Sequence, residues 1–341
     1  MTPHNHTGLL LVLACLPVPA WANAPEPVPR YAEFKAWQVG CDNTRRCTAV
    51  SASTDTPGMG LEIFRDAGPG GATRLSVFTP AGLRLHGDLG VDGHAVPGVR
   101  QAQGQAAIDL LRRLRNADTL DASSNQGERH ISLQGLSAAL LLIDSVQSRL
   151  DHPSALVRTG SQPDSGIPAA ISAPSLPGVI PAPSLSAVEA QTIGEEVIRL
   201  TQDQWSEPGL SNWTATAQVS PLDTAHVLVG LRYGCDGDNC MYSYYRAART
   251  APYQPTVLAF ITPPYDDLGG EMYGQFIFDA GNGELTQLAA HGAGCGTRAV
   301  WAYDGTAMQL KEFRSMRGCQ GLDPARWPVI WRTATQATPS K

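Results

Sequence analysis

The chain has 341 residues, with 25 Lys and Arg against 31 Asp and Glu and a formal net charge of −6. That length accommodates two domains, and mild acidity without a basic run excludes an electrostatic footprint for nucleic acid. No apolar stretch approaches the roughly 20 residues of a membrane span.

In chain order, the first feature is Gly8–Val18, apolar and uncharged, which ends at Ala20-Trp21-Ala22. A short apolar run before a small-x-small triplet predicts a secretory signal peptide cleaved after Ala22. Cleavage after Ala24 is the rival, and it would leave Pro25 first. Cys15 reads as an apolar residue of the leader, not as a lipid acceptor. Export predicts an oxidising compartment, a bacterial periplasm or the medium after release. Six cysteines remain in the mature chain: Cys41, Cys47, Cys235, Cys240, Cys295 and Cys319. An even number in an exported chain predicts disulfides. Short loops close at low entropic cost, so local pairs are expected: Cys41–Cys47, Cys235–Cys240 and Cys295–Cys319. Zinc is the rival, but the spacing of Cys235 and Cys240 is wide for it.

The amino-terminal half, residues 30–155, predicts hairpins followed by helices. Trp37–Val39 and Cys47–Val50 flank turn chemistry at Asp42–Arg46. Leu61–Phe64 and Leu75–Phe78 flank Gly68-Pro69-Gly70-Gly71, and Leu83–Leu85 alternates as a further strand. Helical spacing marks Gln105–Arg115 through Ala107, Ile108, Leu111 and Leu114. It also marks Leu136–Leu150 through Leu136, Leu140, Ile143 and Leu150. Arg129–Leu133 is a strand between them. Residues 156–186 are rich in proline, serine and alanine and read as a flexible linker.

The carboxy-terminal half, residues 187–336, opens with a capping box, Ser186 with Glu189. A stripe of Val188, Ile193, Val197 and Leu200 follows it. Strands are expected at Val227–Val229, Tyr242–Tyr245, Val257–Ile261, Gln275–Phe278, Leu285–Leu288, Ala299–Tyr303 and Met308–Phe313. Gly281-Asn282-Gly283 and Asp304-Gly305 are hairpin turns between them. The predicted fold class is α+β: two mainly antiparallel-β domains with packing helices, joined by the linker.

Four constellations carry chemical content. Asp236, Asp238 and Asn239 sit in the loop between Cys235 and Cys240. Oxygen ligands at that spacing suit calcium, although the EF-hand glycine and glutamate are missing; an ordinary polar hairpin tip competes. Asp266, Asp267 and Glu271 form an acidic loop at Tyr265–Glu271, where paired carboxylates suit general acid–base work and a solvated turn competes. His291 near Cys295 suits a nucleophile–base pair, with a disulfide at Cys295 as the stronger reading. Tyr242 and Tyr244 share one strand face, Tyr245 takes the other, and Arg246 follows. A tyrosine face with arginine suits protein or glycan recognition, with core packing as the alternative. Trp301, Trp327 and Trp331 read as core. No nucleotide-binding, metalloprotease or serine-hydrolase motif occurs.

Three stretches together resemble a family of exported bacterial proteins of unknown function, DUF1176. They are WQVGCDNTRRCTA at Trp37–Ala49, ISLQGLSAALLLIDSVQSRL at Ile131–Leu150, and Phe276–Arg332 with its Cys295-Gly296, Trp301–Gly305 and Trp327–Arg332 runs. The amino-terminal half is also loosely similar to the invasion-associated locus B domain. The resemblance implies a periplasmic or secreted location and no established reaction. Family members tend to carry charge before the cysteine at 295, whereas this chain has the uncharged Ala289–Gly294. The expected function is a non-enzymatic binding module of the cell envelope with a protein or glycan partner. A hydrolase of envelope polymers using the acidic loops is the alternative, and a calcium-stabilised structural module is the third reading.

Overall fold

The computed structural model describes residues 26–53, 55–205, 214–263, 272–292 and 294–334. The leader with Cys15 and the acidic loop Tyr265–Glu271 lie outside the described residues.

Eight strands open the amino-terminal half: β1 (Arg30–Phe34), β2 (Trp37–Cys41), β3 (Cys47–Ala52), β4 (Gly60–Arg65), β5 (Thr73–Phe78), β6 (Leu85–Val91), β7 (His94–Val96) and β8 (Gln101–Gln103). Then come α1 (Gly104–Leu114), β9 (Thr119–Ser124), β10 (Gly127–Ser132) and α2 (Leu136–Val146). A six-stranded sheet runs β1-β2-β3-β4-β5-β8, and a four-stranded one runs β10-β9-β6-β7. The expected hairpins form, with Cys41 opposite its disulfide partner Cys47 and Leu61 opposite Val77. Leu83 is not in a strand; it is buried just ahead of β6. The predicted faces of α1 and α2 bury Ala107, Leu111, Leu114, Leu136, Leu140 and Ile143 against the sheets. α2 stops at Val146, so Leu150 lies past its end.

What holds that end is ionic. Asp144 is fully buried and accepts from Arg65 Nη1 at 3.0 Å and from the Leu156 and Val157 amides at 2.7 and 2.9 Å. Arg65 also donates to the Ser154 carbonyl, and Arg149 donates to the Gly68 carbonyl. Burial pulls the Arg65 guanidinium down to about 9, with Arg149 adding to the shift and Asp144 opposing it. The network ties the chain after α2 back onto β4, where an unpaired buried charge would be costly.

The carboxy-terminal half contains α3 (Ala187–Leu200), α4 (Gln202–Trp205), β11 (Thr216–Pro221), β12 (His226–Asp236), β13 (Asn239–Ala248), β14 (Thr256–Val257), β15 (Phe260–Ile261), β16 (Tyr273–Asp279), β17 (Glu284–Ala290), β18 (Gly296–Tyr303), β19 (Met308–Met316) and β20 (Val329–Arg332). The capping box of α3 forms in both directions. Its stripe is narrower than expected: Ile193 and Val197 are buried, whereas Val188 is 74% exposed and Leu200 37%. The helix touches β11 and β12 through the Ile193–Val197 face, and its two ends overhang.

The strands do more than meander. The ladder β12-β13-β16-β17-β18-β19 is antiparallel, but β13 and β16 pair only at Cys240–Gly274 and Met241–Tyr273 before diverging. The segment 256–261 spans the gap. Thr256 and Val257 pair with Arg246 and Tyr245, and Phe260 and Ile261 pair in parallel with Met308 and Gln309. The sheet thereby closes on itself into a barrel with β11 and β12 as a flap. Its interior is aromatic: Phe276 lies 4.6 Å from Tyr242 and 5.4 Å from Tyr244, and Phe260 lies edge-on to Trp301 at 5.1 Å. Trp301 and Trp327 are buried as expected, and Trp331 is half-buried.

The two halves share a packed junction. Gly40 of β2 lies under Pro328 and Ile330, and Val50 and Ala52 join a cluster with Met316, Leu322 and Trp327. Around it, Arg332 pairs with the buried Asp42, and the Asn43 side-chain amide donates to the Arg332 carbonyl at 3.0 Å and accepts from the Arg332 amide at 2.9 Å. Arg326 pairs with Glu62 at 3.0 Å. The proline-rich segment between the halves is laid down as a strap. Ser175 bridges to Ala334, Ile180 packs on the barrel core, and Arg249 donates to the Pro183 and Ser184 carbonyls, both at 3.0 Å.

Candidate functional site

The predicted residues separate along the length of β13. At one end Cys235 and Cys240 form their disulfide and clamp a tight hairpin tip. Asp236 and Asp238 are exposed there. Asn239 turns inward, donating to the Ala290 carbonyl at 2.8 Å with its own Oδ1 buried and without a hydrogen-bond partner. Among the described residues no group of three or more His, Cys, Asp or Glu is placed to hold a metal. The third pair, Cys295–Cys319, also forms. With its sulfur bonded, Cys295 offers no thiolate for His291 to activate.

Tyr242, Tyr244 and Arg246 follow on one face of β13, as alternation predicts. That face is not a solvated platform: Tyr242 is 7% and Tyr244 5% exposed, because the closed barrel folds β16 over them. Burial pushes the Tyr244 hydroxyl far above the ordinary phenol range, and Tyr242 adds to it. Burial also raises Tyr242, with Arg232 opposing. Tyr245 faces the other way and packs with α3.

A cleft of about 390 Å³ opens where β11 and β12 part from β16 and β17. Ser220, Leu228, Gly230, Tyr244, Phe276 and Phe278 line it. Gly230 is opposite Tyr244, and a Cβ there would lie 2.7 Å from the ring; glycine lets the ring lie flat across the strand pair.

Beyond Leu228, at the barrel end away from the disulfide tip, four polar side chains converge. Asp223 caps the β11–β12 turn, accepting from the Ala225 and His226 amides at 2.7 and 2.8 Å. The His226 Nδ1 lies 3.0 Å from both Asp223 oxygens. Tyr303 reaches Asp223 at 3.3 Å and donates to the Gly305 carbonyl at 2.7 Å. Burial raises the Asp223 carboxyl, but the amides and the imidazole outweigh it, so the net shift is downward. Burial pushes Tyr303 up to about 12; Arg246 opposes this and Asp223 reinforces it.

Arg246 completes the group. Its Nη2 lies 3.1 Å from Nδ1 and 3.0 Å from Nε2 of His226. Near-equal distances put the guanidinium over the ring face, not along either lone pair, a stacking that arginine favours. The Nε of Arg246 is buried and has no acceptor among the described residues. A hollow of about 860 Å³ at the junction of the halves, beside Pro57, Pro80 and Arg326, is larger. Its charged wall is satisfied: Arg326 is paired with Glu62 and lies over Phe78 at 4.7 Å. The cleft is therefore the candidate site: the perturbed Tyr244 lines it, and the polar cluster lies just beyond its edge at Leu228.

Residues 31–334 match the family described as protein of unknown function (DUF1176). The chain belongs to that family. It is also similar to the uncharacterized protein YpfG of Escherichia coli (strain K12), 25% identical over 362 aligned positions covering 95% of this chain and 98% of the relative. No solved structure matches. The looser likeness to the invasion-associated locus B domain is not shown by these comparisons. The DUF1176 match spans both halves and the strap, so the junction and the cleft both fall within the family's domain. Of the cleft's polar end, sequence reasoning singled out only Arg246. Asp223 and His226 carry a usable signal, an Asp three residues ahead of a strand-opening His, the spacing of a turn cap. Tyr303, 80 residues away, carries none.

Proposed function

We propose that this DUF1176 protein is an exported, non-enzymatic binding module of the cell envelope and holds part of its partner in the barrel cleft. Three disulfides among the six cysteines of the mature chain and the leader-like amino terminus support export. The observation that carries the binding reading is the cleft between β11–β12 and β16–β17, walled by Tyr244, Phe276 and Phe278 and edged by Gln218 and Ser220. At about 390 Å³ the cleft takes one end group of an envelope protein or glycan, not a polymer. The test is crosslinked capture of the mature protein from its own envelope, beside a Ser220→Trp variant whose indole fills the cleft. Loss of the recurrent partner with the variant is the expected result. Equal capture by both proteins sinks the cleft as the site.

A hydrolase reading retains one observation: Asp223 orients the His226 ring, as a general base requires. Against it, Arg246 covers that ring, and Asp236 and Asp238 lie at the far end of β12, about 33 Å away at the rise of a strand. If His226→Gln abolished turnover of an envelope polymer while leaving capture intact, this second reading would replace the first.

A further inference from the structure

The cleft is a seam between two strand edges. Three consecutive residues of β11, Gln218 to Ser220, and three of β16, Phe276 to Phe278, line it. Side chains along a strand alternate between its faces, so a hollow that meets consecutive residues lies at a strand's edge. β11 ends its sheet, beyond β12. β16 has β17 on one side, and on the other it pairs with β13 through Tyr273 and Gly274 before the two part. The Tyr242 amide donates to the Met272 carbonyl at 2.8 Å, which fixes the direction each residue of β16 faces. Alternate residues of an antiparallel strand bond to opposite neighbours. Met272 and Gly274 face β13, so Phe276 and Phe278 turn their N–H and C=O groups the same way, into the seam. Among the described residues no backbone partner meets those groups. Phe276 is 5% exposed, and unpaired backbone groups in a buried strand are rare and costly. Sheet edges are ordinarily shielded by lysine, proline or a bulge. The stretch from Tyr273 to Phe278 has no charge and no proline, its pairing with β17 is regular, and Ile277 is 71% exposed.

We infer that a protein partner completes the seam by strand addition: an extended, uncharged polypeptide segment pairs antiparallel with the Phe276–Phe278 edge of β16. This inference rests on the cleft being the binding site, and it selects protein over glycan, because a strand supplies the N–H and C=O groups that this edge lacks. β11 forms the opposite wall. Its edge ends in Pro221, which has no N–H to offer, so the pairing is assigned to β16. The ladder then sets the pattern of the segment. The residues opposite Phe276 and Phe278 point their side chains inward with those rings, towards Leu228, Tyr244 and Leu285, and are apolar. The residue between them lies beside Ile277 on the outer face and is polar. Gly230 keeps room for the inward pair, since a Cβ there would lie 2.7 Å from the Tyr244 ring. Tyr244 is the one ionisable side chain of the lining, so a charged inward residue would be buried without a partner.

The experiment is an NMR titration of the mature, disulfide-intact protein with the capped peptide acetyl-Thr-Val-Thr-Val-Thr-amide and two N-methylated forms. One form is methylated on both valine nitrogens, which face β16 when the valines point inward. The other is methylated on the first and central threonine nitrogens, which face away. The parent peptide binds saturably, and the Phe276 and Phe278 amides shift and exchange more slowly with solvent. The valine-methylated form binds about tenfold to a hundredfold more weakly, as the loss of two backbone hydrogen bonds requires, and the threonine-methylated form binds like the parent. Ser220→Trp removes binding of all three. Equal binding of the valine-methylated form and the parent, with both lost in Ser220→Trp, overturns strand addition and leaves the cleft in place. Amide shifts at another edge, such as β1 or β8, overturn the seam as the site. A dimer of the mature protein that the peptide dissociates makes a second copy of this chain the occupant and overturns the foreign strand. Failure of the parent peptide to bind the folded wild type overturns the inference, and with envelope capture unaffected by Ser220→Trp the cleft reading falls as well. The comparison of the three peptides on the wild type decides the matter even where Ser220→Trp fails to fold.

Discussion

Replacing Gly40 by Ala tests whether the two halves of the chain are one packed body. Gly40 is in the middle of β2, in ordinary extended backbone, and its outward side lies beneath the carboxy-terminal half. A Cβ there would sit 2.7 Å from Ile330 Cδ1, 2.7 Å from Pro328 Cβ and 3.0 Å from the Val329 carbonyl oxygen. Overpacking of this kind costs about 1–3 kcal/mol. Against that, alanine in a strand gains about 0.5–1 kcal/mol over glycine through the unfolded chain. The net expectation is a loss of about 0–2.5 kcal/mol, centred near 1 kcal/mol, and a fall in Tm of a few degrees for a chain of this size. Modules on a flexible linker predict the opposite sign, because an exposed strand alanine keeps the gain and meets no neighbour. Thermal and urea unfolding followed by circular dichroism measure it. A raised Tm in Gly40→Ala would refute the packed junction and restore the flexible-linker picture.

Three further outcomes follow from groups already placed. Asp144→Asn strips the counter-charge from Arg65 while keeping the shape, and a loss of about 3–5 kcal/mol in urea unfolding is expected; a loss under 1 kcal/mol would mean the buried pair is dispensable. Removing Cys295–Cys319, with a sequence separation of 24, is expected to cost about 3–4 kcal/mol, more than the about 2 kcal/mol for Cys235–Cys240 with a separation of 5. The reverse order would show that strain or local packing, not loop entropy, governs them. Tyr303, pushed up to about 12 in the folded chain, titrates near 10 when unfolded, so the folded state binds more protons between those values. Stability contributed by Tyr303 is full below pH 10 and is lost as pH rises through about 12. Tyr303→Phe is expected to flatten that alkaline limb and to remove one late step from the phenolate absorbance titration.

Local chemistry was legible from sequence, and long-range coverage was not. The hairpin at Asp42–Arg46, the turns at Gly281–Gly283 and Asp304-Gly305 and the capping box of α3 all form, because each is decided within a few residues. The three disulfides join near neighbours and were readable for the same reason. β2 shows where such reasoning ends. Its alternation Trp37-x-Val39-x-Cys41 marks one core face, yet Gln38 and Gly40 are buried as well. The cover of Gly40, Pro328 to Ile330, comes from almost 300 residues further on, that of Gln38 includes Gly318, and no local pattern announces either. The same holds for the short β15, whose parallel partner in β19 lies far along the chain.

The tyrosines of β13 show how closure turns a surface motif into a site. Alternation put Tyr242 and Tyr244 on one face, with Arg246 following, but their exposure depended on whether β16 diverged from β13 or continued beside it. Because pairing stops after two residues, β16 swings over the tyrosines, and 256–261 spans the gap to β19. The rings become the inner wall, and the arginine beyond them is left where the wall ends. At that end the turns of β11–β12 and β18–β19 bring Asp223 and Tyr303 together. The polar cluster is thus a product of barrel closure. A mutation that opened the barrel, such as Phe260→Ala, which removes the T-shaped contact with Trp301, is expected to dissolve the cluster without touching any of its members. Loss of the late Tyr303 step in that variant would link the two. Its persistence in a folded Phe260→Ala protein would show that the β11–β12 turn alone builds the cluster.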